Sequence, residues 1–205
     1  MNTNKISFHS QPQLDYLLGF GFDIFPDAFK TALIAHKGQS RKYSGVSYIE
    51  HPIEVAYLTM QNIPPDYAFM ADEICSAAIL HDTVKDTNLT VGFIRRTFND
   101  PIADLVEQLT FPKFAPNTSR EVKVMAKTGQ FSQMSPCARM IKLCDRYHNL
   151  SEAKVSDTKF FRRYARETLP MLYCVESSNL WTPKMILSRL WYIVTHVNDE
   201  GQNDV

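Results

Sequence analysis

Helix punctuation, with almost no two-residue alternation to compete with it, is what most limits the folds open to this chain. Pro26-Asp27 opens a run with helical periodicity over 28–36, and Gly38 stops it. His51-Pro52 places a proline in a first helical turn, where its missing N–H is tolerated. Ile53, Val55, Ala56 and Leu58 give that helix its apolar face. Pro64-Pro65 breaks it, and Asp66 starts a further helical run through Phe69, Ile74, Ala77, Ala78 and Leu80. Thr90, Asp100-Pro101, Ser119 and Ser135-Pro136 are further capped starts. Two more periodic runs, 158–175 and 182–197, follow; the second is strongly apolar and reads as a core helix or a subunit interface. The expectation is an all-α single domain, a bundle of about eight to ten helices. Residues 1–24 read as an N-terminal extension and first helix, 25–198 as the domain, and 199–205 as a polar tail. The polar ends, 1–10 and 199–205, read as frayed.

Charge excludes some functions. Twenty-two basic residues balance 22 acidic ones, so no global field draws nucleic acid or a membrane surface. A small anionic substrate remains compatible, since one pocket can be basic on a neutral protein. No apolar run reaches the length of a membrane span, and the first residues lack the apolar core of a signal peptide. The chain therefore reads as cytoplasmic. Its four cysteines form no CxxC pair and read as buried, reduced thiols. GFGF at 19–22 follows no strand and is not a dinucleotide fingerprint. His36, His148 and His196 read as packing or capping residues. The loop 111–118, with two prolines and two phenylalanines, reads as a surface connection, with a lid as the alternative.

Three segments carry possible chemistry: YIEHP at 48–52, LHDTVKD at 80–86 and KLCDRYHN at 142–149. His81-Asp82 follows Ala77-Ala78-Ile79-Leu80, and Asp145 follows Met140-Ile141-Lys142-Leu143-Cys144. Both carboxylates thus sit where burial is expected, and a buried carboxylate needs a partner. Two of them on separate apolar helices, with histidines available, suggest a cation between them. His51, His81, Asp82 and Asp145 form the candidate ligand set. Two imidazoles and two carboxylates balance a divalent charge, and mixed N/O donors favour a transition metal over calcium or magnesium. Helical spacing puts Asp86 one turn below Asp82, Lys85 one turn below His81, and Asn149 one turn below Asp145. Asp86 is placed to orient or deprotonate a water, and Asn149 to hydrogen-bond a substrate or ligand.

At these residues the sequence resembles the HD superfamily of metal phosphohydrolases, and within it the hydrolase domain of the RelA/SpoT alarmone enzymes and their stand-alone small relatives. HKGQSRKYSGVSYIEHPIEVA at 36–56, AAILHDTVKDT at 77–87 and MIKLCDRYHNL at 140–150 carry the resemblance; FFRRYARETLPML at 160–172 is a looser match. The resemblance implies an HD-domain helical bundle, Mn²⁺ as the cofactor, and hydrolysis of (p)ppGpp at the 3′ position to pyrophosphate and GDP or GTP. By position it implies the same four metal ligands. It also implies Arg41 and Lys42 against the guanine base, with Tyr48 and Asn149 beside the nucleotide. With no synthetase segment after it, the chain reads as the stand-alone form, acting on a small nucleotide, with a homo-oligomer left open.

Two positions depart from the family pattern. The family reads HDxxED, its Glu assigned to activating water; here HDTVKD puts Lys85 in that place. A protonated lysine cannot accept a proton, and burial beside a cation is expected to lower its pKa. Ser151 stands where the family often carries an arginine near the phosphates. Two alternatives therefore stand beside the alarmone reading. One is a related HD nucleotidase or NADPH phosphatase; the other is a nucleotide-binding module without turnover.

Overall fold

The computed structural model describes residues 9–177 and 183–197. In chain order the helices are α1 (Gln11–Leu18), α2 (Phe25–Ala35), α3 (Glu50–Met60), α4 (Ala71–Leu80), α5 (Thr83–Asp86), α6 (Val91–Thr97) and α7 (Asp100–Leu109), then α8 (Arg120–Gln133), α9 (Pro136–Ser156), α10 (Thr158–Glu176) and α11 (Lys184–Thr195). Among the described residues eleven α-helices, one of them a single turn, make an all-α bundle as the sequence leads one to expect. Among the described residues β-pairing is confined to one bridge, Ser40 to Ser47, which folds the α2–α3 loop back on itself.

Helix α4 is the centre of the bundle. Its residues from Ile74 to Leu80 are all buried, because the run ICSAAIL is apolar all round apart from the small Ser76, whose hydroxyl donates to Asp72. It packs against α2, α3, α7 and α9, while α9 also meets α3, α7, α10 and α11. The start of α3, the end of α4 and the middle of α9 therefore meet inside the bundle. Leu80, Ile79, Met140 and Ile141 are fully buried around that meeting point. Truncating any of them to alanine costs on the order of 2–5 kcal/mol.

The cap signals translate into geometry. Thr90, Ser119 and Ser135 each accept a hydrogen bond from the backbone N–H three residues on. At α7 the cap is Asn99, not Asp100: its side chain accepts from Ile102 N at 3.0 Å, and Asp100 is already the first helical residue. The run expected from Asp66 splits into a 3-10 segment, Pro65–Met70, followed by α4. Helix α2 has no local side-chain cap. Asp72 of α4 supplies one at long range, accepting from the N–H groups of Asp23, Ile24 and Phe25 at 2.8, 2.9 and 2.9 Å. Residues 9–10 are docked, not frayed: Glu50 accepts from both backbone N–H groups and from the Ser10 hydroxyl. The tail 199–205 and Thr182 lie outside the described residues. No helix among the described residues is long and apolar enough to cross a membrane. Cys75, Cys137 and Cys144 are free and buried, and Cys174 is free and half-buried.

Candidate metal centre

Three elements deliver the site. His51 lies in the first turn of α3, between Glu50 and Pro52. His81 and Asp82 form the junction where α4 stops and α5 begins, with the Thr83 hydroxyl donating back to Leu80 O at 2.7 Å. Asp145 lies in the middle of α9. All four residues are at most 5% exposed.

Their donor atoms converge. His51 Nε2 is 3.2 Å from Asp145 Oδ1 and 3.7 Å from Asp82 Oδ2. His81 Nε2 is 3.1 Å from Asp82 Oδ2 and 3.8 Å from Asp145 Oδ1. Donors about 2.0–2.2 Å from a common ion would sit roughly 3.0–3.5 Å apart. The cluster is close to that spacing, and the ligand atoms of His51, His81 and Asp145 all lie within 4.8 Å of one another.

Hydrogen bonding sets the tautomers. His81 Nδ1 is 2.7 Å from Ala78 O, so it must carry a proton; when the ring is neutral, Nε2 is the lone pair aimed at the centre. His51 Nδ1 is 2.8 Å from His148 Nδ1, so one of the two donates. Both Nε2 atoms are buried without a hydrogen-bond partner. Two orphaned imidazole nitrogens facing two carboxylates are what a divalent cation would satisfy, so the residues present fit a metal ion.

The charges agree. Burial pushes His51 down to about 4, and pushes His148 down to about 3 with help from His51 and Arg41. Both rings are therefore neutral at physiological pH. At His81 burial also acts downward, but Asp82 and Asp145 outweigh it and the pKa rises. His81 is thus the position where a proton and a cation compete. Burial alone would raise both carboxyls; His81 beside Asp82 and Lys142 beside Asp145 hold them well below the usual carboxylate range. Each carboxylate spends one oxygen on a lysine and turns the other to the centre. Lys142 Nζ is 2.6 Å from Asp145 Oδ2, and Lys85 Nζ is 2.5 Å from Asp82 Oδ1.

A cavity of about 610 Å³ opens beside the cluster. Its lining includes Asp82, Asp145 and six cationic side chains: Lys85, Lys113, Lys123, Lys127, Lys142 and Arg146. Tyr48 and Asn149 line it as well. Tyr48 donates to Asp82 Oδ2 at 2.7 Å, and Asn149 donates to Asp145 Oδ1 at 2.6 Å. Asp86 sits at the edge, its Oδ2 2.9 Å from Lys85 Nζ and 3.3 Å from the Tyr48 hydroxyl. Arg41 reaches the back of the site: it stacks over Tyr48, donates to Asn149 Oδ1 at 2.7 Å and pairs with Glu152. Lys42 is exposed over the Tyr43 ring and does not line the cavity.

The structure corrects the expected charge behaviour of Lys85. Burial acts to lower its pKa, but Asp82 and Asp86 outweigh it and hold the ammonium above the ordinary lysine value. Helical spacing also misplaced it: α4 breaks at Leu80, and Lys85 turns to Asp82, not to His81. The loop 111–118 supplies cavity wall through Phe111, Pro112, Lys113 and Phe114. His148 was missed as a site residue; its signal was the three-residue spacing from Asp145 on one helix face. The α8 lysines, 123 and 127, were also missed, because a four-residue spacing of charge looks like a solvated face.

The family model of the HD domain matches residues 28–173. The chain belongs to the HD-domain family. It is 36% identical over 144 residues to the probable guanosine-3′,5′-bis(diphosphate) 3′-pyrophosphohydrolase of Synechocystis, a stretch covering 69% of this chain and 18% of that protein. It is 32% identical over 187 residues to the chloroplastic probable GTP diphosphokinase RSH2 of Arabidopsis thaliana, covering 85% of this chain and 25% of that one. The chain thus spans a quarter or less of the length of these curated relatives. Among solved structures, a metazoan orthologue of SpoT described as hydrolysing ppGpp superposes with a TM-score of 0.72 at 21% identity, covering 86% of this chain and 96% of that chain. At that identity the likeness is one of fold. This HD domain therefore has the bundle of the SpoT-type hydrolases and, at its centre, a His/His/Asp cluster able to coordinate a divalent metal.

Proposed function

We propose that this HD domain is a Mn²⁺-dependent phosphohydrolase that cleaves the 3′-pyrophosphate from a guanosine alarmone, (p)ppGpp, leaving GDP or GTP. The observation that carries it is a buried, cation-ready cluster opening directly onto a cavity with six cationic side chains and two carboxylates. A diphosphate ester is the kind of ligand such a wall suits, since each ammonium or guanidinium makes a charge-assisted bond to phosphate oxygen.

In this reading His51, His81, Asp82 and Asp145 hold the ion. When bound, the cation supplies Lewis acidity, activating water and polarising a phosphoryl oxygen. Tyr48 and Asn149 fix the two carboxylates through hydrogen bonds to the oxygens that face the centre. Asp86 accepts the proton of the attacking water, in place of the glutamate that the relatives' motif carries one residue earlier. Lys85 and the α8–α9 cations hold the phosphates. Arg41 and Tyr48 take the guanine side, with Lys42 joining them by leaving the Tyr43 ring; for this Arg41 must exchange part of its Glu152 pairing for the base.

The test is product analysis of the Mn²⁺-loaded chain with ppGpp and pppGpp. Pyrophosphate with GDP or GTP is expected. Orthophosphate from NADPH or a nucleoside monophosphate, with no pyrophosphate from either alarmone, would replace the alarmone reading with a nucleotidase or NADPH phosphatase. One observation favours a second reading, a nucleotide-binding module without turnover. Lys85 occupies the glutamate's place and ties up both Asp82 and Asp86. Tight ppGpp binding with no product would establish that reading instead.

A further inference from the structure

Lys85 places a cation of this chain's own against its candidate metal centre. Its ammonium lies 2.5 Å from Asp82 Oδ1 and 2.9 Å from Asp86 Oδ2. The other oxygen of Asp82 is the one 3.1 Å from His81 Nε2 and 3.7 Å from His51 Nε2. The lysine and the two imidazoles thus stand on opposite oxygens of one carboxylate, and a metal held by His51 and His81 would share Asp82 with Lys85. Asp145 has a parallel arrangement with Lys142, but there the lysine side chain is only 10% exposed and packs over the Phe111 ring. The Lys85 side chain is 41% exposed and lines the cavity, so it has somewhere to go.

Two physical consequences follow. Without a metal, the ammonium partly neutralises a buried carboxylate that would otherwise lie unpaired on that side. A divalent cation entering the centre then meets an Asp82 whose charge is already shared, and it repels the ammonium across the carboxylate. We propose that Lys85 is an internal counter-ion that sets the metal affinity of the centre, holding Asp82 in the metal-free protein and swinging into the cavity when a divalent cation binds. The inference rests on the reading that Asp82 is a metal ligand.

Titration calorimetry of the full chain with Mn²⁺ tests it, comparing wild type with Lys85→Met, Lys85→Gln and Lys85→Arg. Both neutral variants are expected to bind Mn²⁺ about tenfold or more tightly, and the arginine variant within about threefold of wild type, because only the charge matters. Melting temperatures supply the second readout. The metal-free methionine variant melts lower than wild type, and its rise on adding Mn²⁺ is larger. If Lys85→Met fails to fold without metal, Lys85→Gln carries the comparison. Acylation of Lys85 by an amine reagent, mapped by peptide mass spectrometry, is expected to speed up in wild type when Mn²⁺ is added. Equal or weaker Mn²⁺ affinity in the neutral variants, or an unchanged acylation rate, overturns the counter-ion role while leaving the metal centre standing. If wild type and Asp145→Asn bind Mn²⁺ alike, the metal-centre reading itself falls, and the role of Lys85 falls with it.

Discussion

His148 offers the most direct handle on the centre, because it is placed to act on the metal through another residue. His51 can present a lone pair at Nε2 only if its proton rests on Nδ1, and the acceptor available to that proton is His148 Nδ1, 2.8 Å away. Burial keeps His148 neutral, at about 3, so it can accept. Replacing it with leucine fills the space but removes the acceptor. His51 then has two options. It can keep a buried donor unsatisfied, at a cost of about 1–3 kcal/mol. Otherwise it can move the proton to Nε2, toward Asp145 Oδ1 at 3.2 Å, and the ligand lone pair is lost. Either route weakens metal binding, and the usual cost of removing such an orienting partner is about 10–100-fold. Mn²⁺ calorimetry on His148→Leu should show that loss. His148→Asn, whose amide oxygen can take the place of Nδ1, should recover most of it. Wild-type affinity in the leucine variant would refute the tautomer argument, since a packing role alone predicts a lower melting temperature with the metal affinity intact.

Other consequences are simpler to test. Asp72→Ala removes three backbone hydrogen bonds to one carboxylate and should destabilise the fold by about 3 kcal/mol in urea denaturation, leaving Mn²⁺ affinity unchanged. Burial, with Arg146 and Lys142 nearby, already lowers the Lys127 pKa; Lys127→Ala should therefore leave stability unchanged or slightly higher while raising KM for an alarmone about tenfold or more. His51 and His148 stay neutral in the native metal-free protein, at about 4 and about 3, but take up protons near 6.5 when unfolded. Stability should therefore fall as pH drops from 6.5 toward 4, by at most about 1.4 kcal/mol per pH unit for each. His81, shifted upward by Asp82 and Asp145, works in the opposite sense: its contribution is fully present below its unfolded pKa near 6.5 and is lost as pH rises through its folded pKa. Denaturation midpoints that stay flat between pH 7 and 5 would contradict this. Cys144, fully buried with its thiol pushed up to about 12 by burial, should resist a thiol reagent that reaches half-buried Cys174 first.

What the sequence made legible was the local chemistry. Thr90, Ser119 and Ser135 are caps because hydroxyl residues precede apolar periodicity, and that logic needs no tertiary information. His81, Asp82 and Asp145 were legible for a related reason: charged groups inside apolar runs demand partners. What failed was whatever depended on a contact between helices. The break between α4 and α5 was hidden because LHDTVKD carries no proline or glycine to announce it. The α2 cap was hidden because Asp72 stands nearly fifty residues away from the N–H groups it satisfies. Helix α8 shows in the sequence only as a charged run after the Ser119 cap. Only its position across from α9 and the loop after α7 turns Lys123 and Lys127 toward the cavity.

The cavity's charge explains why a lysine at position 85 is compatible with the rest of the site. Six cationic side chains and two carboxylates line it, a formal excess of four positive charges before any metal arrives. Like charges in one cavity repel, and burial beside Arg146 and Lys142 already lowers the pKa of Lys127. A polyanion with two diphosphate groups relieves that repulsion, and a nucleoside monophosphate relieves far less of it. A glutamate at 85 would cut the excess to two and leave Asp82 facing another carboxylate across the short turn of α5. With lysine there, Asp82 is paired in the metal-free state and the cavity gains one more cation. In the proposed reaction the loss falls on proton transfer, assigned there to Asp86, which is itself bonded to Lys85 and Tyr48. Substrate affinity and turnover should therefore separate at this position. Lys85→Glu ought to raise KM for an alarmone even where it raises kcat, and a variant that lowered KM would show that the cavity's positive charge is not what selects the substrate.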